Sequence, residues 1–413
     1  MPGRMDGQPA RTGPLGPAVA APTSGTGAEA LPVTVLVVLA AAVFTAITTE
    51  VLPVGLLPVI SAGLHTSESR VGLLVSAYAG VVVLGSIPLA AVVVRWPRRT
   101  VLCTLLVTYA LSNAVMATAG AYWIALVARL LGGLAHAGFF SVVFAAAVSV
   151  APAGRQGRAI ALVGAGTAAA LALGVPLGTA VGTAIGWRWA FAACAIAMVV
   201  FAVLTALVLP TQPPPARSAQ QPVLAAVRTR PLLAAAAVTV VLTLGHYTPF
   251  TYVSPLLRHA GVSVTGVSLV LLGYGAAGIL GLVVSGAVVD RHPRRGLQAA
   301  TALTTTCLLI LGLAPHGAPG TVAVLAWGFA FGTLPTLIQA VALRAAAQAP
   351  DAAPAVVNTA FNIGIAGGAL LGARELLVTT PPGLALTGAA LTAVALVLLL
   401  ARAGGEPPEV GEA

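Results

Sequence analysis

Arg95-Trp96-Pro97-Arg98-Arg99 returns as Arg291-His292-Pro293-Arg294-Arg295, 196 residues later. The same offset carries Pro53 onto Pro249, Tyr78 onto Tyr274, Gly85 onto Gly281 and Gly132 onto Gly328. A single ungapped shift that carries all of these features marks two tandem copies of one unit. Long apolar runs flank both basic segments, and they say what the unit is.

The chain has 413 residues, of which 58% are apolar and 7% charged, with a mean hydropathy of +1.00. A soluble protein carries about 25% charged residues. This composition excludes a soluble enzyme and a secreted disulfide scaffold. The net charge is +10, and all 20 basic residues are Arg. They sit in short clusters between apolar runs, the pattern of membrane topology, so a nucleic-acid partner is not expected. Cys103, Cys194 and Cys307 are scattered within apolar runs, with neither a disulfide framework nor a metal-ligand spacing. No metal and no cofactor is expected.

A spanning helix needs about 20 apolar residues. Runs of that kind lie near 33–57, 70–94, 100–119, 121–149, 158–184, 187–209, 231–256, 263–289, 297–315, 319–346, 354–378 and 382–402. Backbone groups left unpaired in lipid are costly, so the runs must be helices. The expectation is an all-α integral membrane protein, with twelve transmembrane helices in two six-helix bundles related by a parallel pseudo-two-fold repeat. Residues 1–32 read as a disordered cytoplasmic tail without a signal peptide. Residues 33–209 form the first bundle, 210–230 a Pro-rich cytoplasmic linker, 231–402 the second bundle and 403–413 a second cytoplasmic tail. With both termini inside, most Arg residues fall on the inner side; Arg70, Arg188 and Arg258 fall outside. Trp96, Trp123, Trp187 and Trp189 fall at the expected interfaces, as an aromatic belt would.

Further segments carry a family resemblance. They are Glu50-Val51-Leu52-Pro53-Val54-Gly55-Leu56-Leu57-Pro58 in the first span and Ala128-Arg129-Leu130-Leu131-Gly132-Gly133 in the fourth. Gly174-Val175-Pro176-Leu177-Gly178, followed by Gly186-Trp187-Arg188, marks the fifth and sixth. Over residues 33–402 the chain resembles the major facilitator superfamily. Within it, the chain looks like the drug:proton antiporter group of bacterial sugar, nucleoside and chloramphenicol efflux proteins. The family's loop of type G-x-x-x-D-R-x-x-R-R is complete after span eight, at Gly286, Asp290, Arg291, Arg294 and Arg295. After span two, Val94 takes the acidic place before Arg95. The resemblance implies a bacterial cytoplasmic-membrane transporter that exchanges a solute for protons.

Charges inside a bilayer need a reason. Glu50 is the only acid in the first six runs, roughly 12–15 Å from the outer end of its span. It reads as a proton-carrying carboxylate, or as a structural acid paired with Arg or backbone. Arg129 lies at similar depth. It reads either as an ion partner of Glu50 that a substrate displaces, or as a packing or snorkelling residue. His136 is seven residues further along the same helical face, with Gly132 and Gly133 between them. It is a cavity-wall candidate or a packing histidine.

The repeat sets His246 opposite Glu50, each three residues before a proline. His246 is therefore a candidate to share the proton, and Tyr247 beside it a candidate substrate contact. Gln339, Asn358 and Asn362 suit hydrogen bonds to a polar ligand, or equally bonds between helices. Glu375, next to Arg374, is the rival proton carrier. Gly174, Gly178, Gly182 and Gly186 recur every fourth residue around Pro176, and such a stripe lets a neighbouring helix approach closely. Arg95, Arg98, Arg99 and their copies Arg291, Arg294 and Arg295, with Asp290, fix topology and are second candidates for closing the cytoplasmic side.

No HExxH, GxSxG or P-loop appears, so neither a membrane enzyme nor an ATP-driven pump is indicated. The leading expectation is proton-coupled efflux by a chain that functions as a monomer in the lipid bilayer. An uncoupled facilitator is the alternative, with a membrane enzyme or receptor behind it. Aromatic residues make up 5% of the chain, which tilts the expected substrate toward small polar or amphipathic solutes such as sugars, nucleosides or phenicol-type antibiotics.

Overall fold

In the computed structural model, residues 3, 31–93, 95–152, 154–211, 229–289, 291–345 and 352–401 are described. The tails apart from a few residues, most of the 210–230 linker, Val94 and Asp290 lie outside them, and so do the expectations placed there. Among the described residues all regular structure is helical.

The first half comprises α1 (Val33–Gly63), α2 (Glu68–Val93), α3 (Arg98–Ala117) and α4 (Tyr122–Val150). Its fifth span is composite: α5 (Gln156–Ala169), a π turn Ala170–Gly174, α6 (Val175–Val181) and a second π turn Gly182–Gly186. Then comes α7 (Trp187–Val208). The second half comprises α8 (Arg230–Phe250), α9 (Val253–His259), α10 (Val264–Val288), α11 (Pro293–Leu313), α12 (Gly317–Ala345), α13 (Ala352–Glu375) and α14 (Pro381–Ala401).

Among the described residues eleven stretches are long and apolar enough to cross a membrane, and one of them, Gln156–Val208, has 53 residues. At helical rise that is about 80 Å, against about 30 Å of hydrocarbon. Gly186, at φ 107°, breaks the run where no L side chain sits comfortably. The run therefore supplies two spans, and the total is twelve.

The prolines show how the two copies diverge. Pro53 and Pro58 lie inside α1, which continues to Gly63 rather than stopping at residue 57. Pro53 has no N–H to give the Thr49 carbonyl, but the Arg129 guanidinium does so from α4, at 2.8 Å. In the second copy Leu325 stands where Arg129 would be. There the chain breaks after Pro249, and α8 and α9 are separated at Thr251–Tyr252. Pro176 acts differently again: the π turn just before it widens the helix where the proline ring would meet the Ala172 carbonyl.

Apolar side chains fill the space between helices, and those facing outward, such as Leu84, Ile196, Leu207, Leu280 and Val283, remain exposed for lipid. The repeat is visible in the packing. Gly132 meets the Tyr78 ring and Gly328 the Tyr274 backbone; Gly85 meets Ala137 and Gly281 meets Thr333, each pair 196 residues after its partner. The fifth span runs parallel to α1. Gly166, Gly174, Gly178 and Gly182 meet Ala40, Thr48, Leu52 and Leu56 in turn, and a Cβ at any of them would intrude on α1. Gly186 belongs to the turn and not to this stripe. Trp96, Trp123 and Trp189 are exposed, but Trp187 is buried against Gly63 and Phe191, so it is a packing residue and not part of an aromatic belt.

Candidate functional site

Helices α2 and α13, α1 and α9, and the fifth span with α10 join the halves. At the end away from Arg95–Arg99 the seam is tight. Ser69 Oγ donates to the Ala373 carbonyl at 2.5 Å, and Arg258 meets Glu68 at 3.5 Å. Tyr252 donates to the Ala369 carbonyl at 2.9 Å, and its hydroxyl lies over Gly72 of the other half, where a Cβ would collide with it. A cavity of about 310 Å³ begins behind this closure and extends toward the arginine-bearing end.

The polar wall of that cavity is Glu50, His136, Thr167, Tyr247, Gln339, Asn358 and Asn362, drawn from α1, α4, α5, α8, α12 and α13. Because α1 reaches Gly63, Glu50 lies roughly 20 Å from its end, deeper than the expected 12–15 Å. The Glu50 carboxylate is nearly buried and meets His136 Nδ1 at 3.6 Å, too long for a hydrogen bond but close enough for charge to be felt. His136 Nδ1 hydrogen-bonds the Tyr78 hydroxyl at 3.0 Å, which lies 3.2 Å from the Tyr109 hydroxyl. Phe140, one turn along α4, stacks on the imidazole at 4.3 Å. A polar chain thus leads from the cavity acid into the first bundle. Nothing in the sequence marks Tyr109, and only the repeat partner Tyr274 marks Tyr78.

Arg129 is buried but is not in the cavity wall. Its guanidinium donates to the Thr49 and Glu50 carbonyls, each at 2.8 Å, and to the Leu74 carbonyl at 3.4 Å. It also lies 4.1 Å from the centre of the Tyr78 ring. The expected Arg129–Glu50 side-chain pair is absent: the guanidinium is taken by the Thr49 carbonyl, which Pro53 leaves without a donor, and by the carbonyls of Glu50 and Leu74. Arg129 is a cation held behind the acid by backbone carbonyls.

His246 departs further from the symmetric expectation. It is fully buried, stacked on Phe331 at 3.7 Å and flanked by Phe250, and it is not in the cavity wall. Trp327 Nε1 donates to its Nδ1 at 3.0 Å. An indole only donates, so Nδ1 is the acceptor and the neutral ring carries its proton on Nε2. The next residue, Tyr247, faces the cavity in its place. Glu375 is also elsewhere, at the closed end, where Thr387 Oγ1 donates to it at 2.5 Å. Asn362 Nδ2 donates to the Asn358 carbonyl at 3.0 Å, which leaves its Oδ1 unpartnered. Asn358 is exposed to the cavity and Gln339 half-buried in its wall.

Composition misled in one respect. Phe140, Phe144, Phe331 and Phe361 also line the cavity, so four of the ten phenylalanines gather there. The wall is more aromatic than the chain average.

The sequence profile of the Major Facilitator Superfamily matches residues 38–373. The chain belongs to the major facilitator superfamily. It is a multi-pass membrane transporter and not an enzyme. Two solved structures share its fold. A bacterial homolog of the human lysosomal transporter Spinster, inward-facing and occupied, is 14% identical with a TM-score of 0.71, over 92% of this chain and 96% of that one. The human organic anion transporter MFSD10 (TETRAN) is 17% identical with a TM-score of 0.63, over 89% and 98%. Like other members of the superfamily, this transporter sets its cavity between two six-helix bundles.

Proposed function

We propose that the protein is a proton-coupled exporter of a small polar or amphipathic solute, working by alternating access in a bacterial cytoplasmic membrane. One observation carries the reading: Glu50 is the sole carboxyl side chain among the described residues of the cavity wall, and it faces His136. A carboxylate there is costly unless balanced, so its protonation and its exposure to one side are linked. With the cavity open to the arginine-bearing side, taken as cytoplasmic from the charge asymmetry, solute enters as Glu50 releases its proton. Arg129 holds the α1 backbone that presents Glu50, and His136, Tyr78 and Tyr109 stabilise the ionised form or pass on the proton. Tyr247, Gln339, Asn358 and Asn362 supply hydrogen bonds to the solute. Arg95, Arg98, Arg99, Arg291, Arg294 and Arg295 set the orientation.

Everted membrane vesicles test this. A pH gradient is established, and candidate sugars, nucleosides and phenicols are added one at a time to wild type and Glu50→Gln. A solute that collapses the gradient with wild type alone supports the reading. Equal collapse by both proteins removes Glu50 as the carrier. Equilibration of labelled solute without proton movement leaves an uncoupled facilitator.

A further inference from the structure

A second cavity, of about 220 Å³, opens beside the first. The two share Thr167, Leu171, Phe331 and Pro335 in their walls, so they adjoin across these side chains. Their chemistry is opposite. The second lobe has no charged residue in its lining and is bounded mainly by carbon: Ala168, Val175, Leu271, Ile279 and Leu282 among others. It lies in the seam between halves, where the fifth span meets α10, with α12 completing the wall. Gly275 of α10 passes so close to Ala172 that a Cβ would come within 2.5 Å of its Cα. Ile279 and Leu282, both in its lining, are partly exposed.

An apolar cavity of about 150 Å³ stays dry and takes benzene. A larger apolar lobe adjoining a wet polar cavity therefore favours a ring or a short branched alkyl group. We propose that this seam lobe seats the apolar end of the transported solute, whose other end, bearing hydroxyl or amide groups, meets Gln339, Asn358 and Asn362. The substrate class is then a compact amphipath, not a free sugar. This rests on the transport reading above but not on proton coupling. The solute bridges both halves, since Ala168 belongs to the first and Leu282 to the second. Hence a filled lobe is remade whenever the halves rock.

The test is equilibrium binding to the purified full chain in detergent. The probes are amide diols that share one polar end and carry methyl, isobutyl or phenyl at the other. Affinity is expected to rise at least tenfold from methyl to phenyl. Ala168→Leu, which fills the lobe, should remove that gain while leaving the methyl compound within twofold. Ile279→Ala, at a half-exposed site with little packing to lose, should instead extend the gain to groups larger than phenyl. Affinity that ignores the apolar end, or no binding by any member, overturns the proposal. Copurified lipid that Ala168→Leu displaces without altering the affinity series would assign the lobe to an acyl chain, and also overturns it. A graded series without proton flux would sink only the coupling. Proton flux with an ungraded series would sink only the lobe.

Discussion

Glu50 and Arg129 share one stretch of helix but have separate tasks, and substitution should separate them. Glu50→Gln keeps shape and removes charge, so folding is expected to survive. Uptake of a solute into everted vesicles should rise with lumenal acidity in wild type, because protons leaving the lumen draw solute in. It should lie flat against that gradient in Glu50→Gln. Arg129→Met is a different loss. It strands the Thr49 carbonyl, takes a donor from the Glu50 carbonyl and leaves the Glu50 charge without a nearby cation. Breaking such a buried arrangement costs about 3–5 kcal/mol. Thermal unfolding in detergent should show the drop, and Arg129→Lys should not restore it, since an ammonium lacks the planar fork. A stable Arg129→Met that only loses substrate affinity would return Arg129 to the cavity. Tyr78→Phe breaks the link between His136 and Tyr109, at about 1 kcal/mol. If the polar chain passes protons, it should slow exchange more than it lowers stability.

The parallel pair of α1 and the fifth span depends on glycines that are not equal. A methyl at Gly166 meets the Ala40 carbonyl, which is backbone and cannot turn aside. A methyl at Gly178 meets only the tip of Leu52, at 2.5 Å, and that side chain can rotate. Gly166→Ala is therefore expected to cost about 1–3 kcal/mol, as overpacking does, and Gly178→Ala clearly less. Melting temperatures of the two variants would decide it, and equal losses would argue against this register. The residue whose change should hurt most falls outside the Gly-x-x-x-Gly run that the sequence displays. Its neighbour sets the cost, and the neighbour is over a hundred positions away.

Movement of the two halves is governed at the seam. The Glu68–Arg258 pair is partly exposed, and such pairs contribute about 0–1 kcal/mol. Tyr252 is buried, bonded to α13 and pressed on Gly72 of the other half. Closure at this end should therefore respond strongly to Gly72→Ala and weakly to Glu68→Gln. Spin labels at His65 and His259, on a background free of the three native cysteines, should move apart in Gly72→Ala and stay near their wild-type separation in Glu68→Gln. Matching distances in all three proteins would show that the seam is held elsewhere.

Membrane residence, the count of spans and the duplication are properties of hydrophobicity and of spacing along one chain. Apolar length, arginine placement and a constant offset therefore reveal them without any fold. The acid in the first span was legible for the same reason, since a lone charge in an apolar run is conspicuous. Which groups face that acid was not. His246 matches Glu50 in the repeat, yet Trp327 and Phe331 enclose it, and neither aromatic has a counterpart in the first copy at the offset. Arg129 reads as the acid's partner, yet the Thr49 carbonyl that Pro53 leaves without a donor, and the Glu50 carbonyl beside it, hold the guanidinium instead. The phenylalanines that line the cavity lie on different helices, and no composition average records that they converge. Side-chain direction and competition for hydrogen bonds are settled only when helices distant in sequence pack together, and the tertiary structure alone decides them.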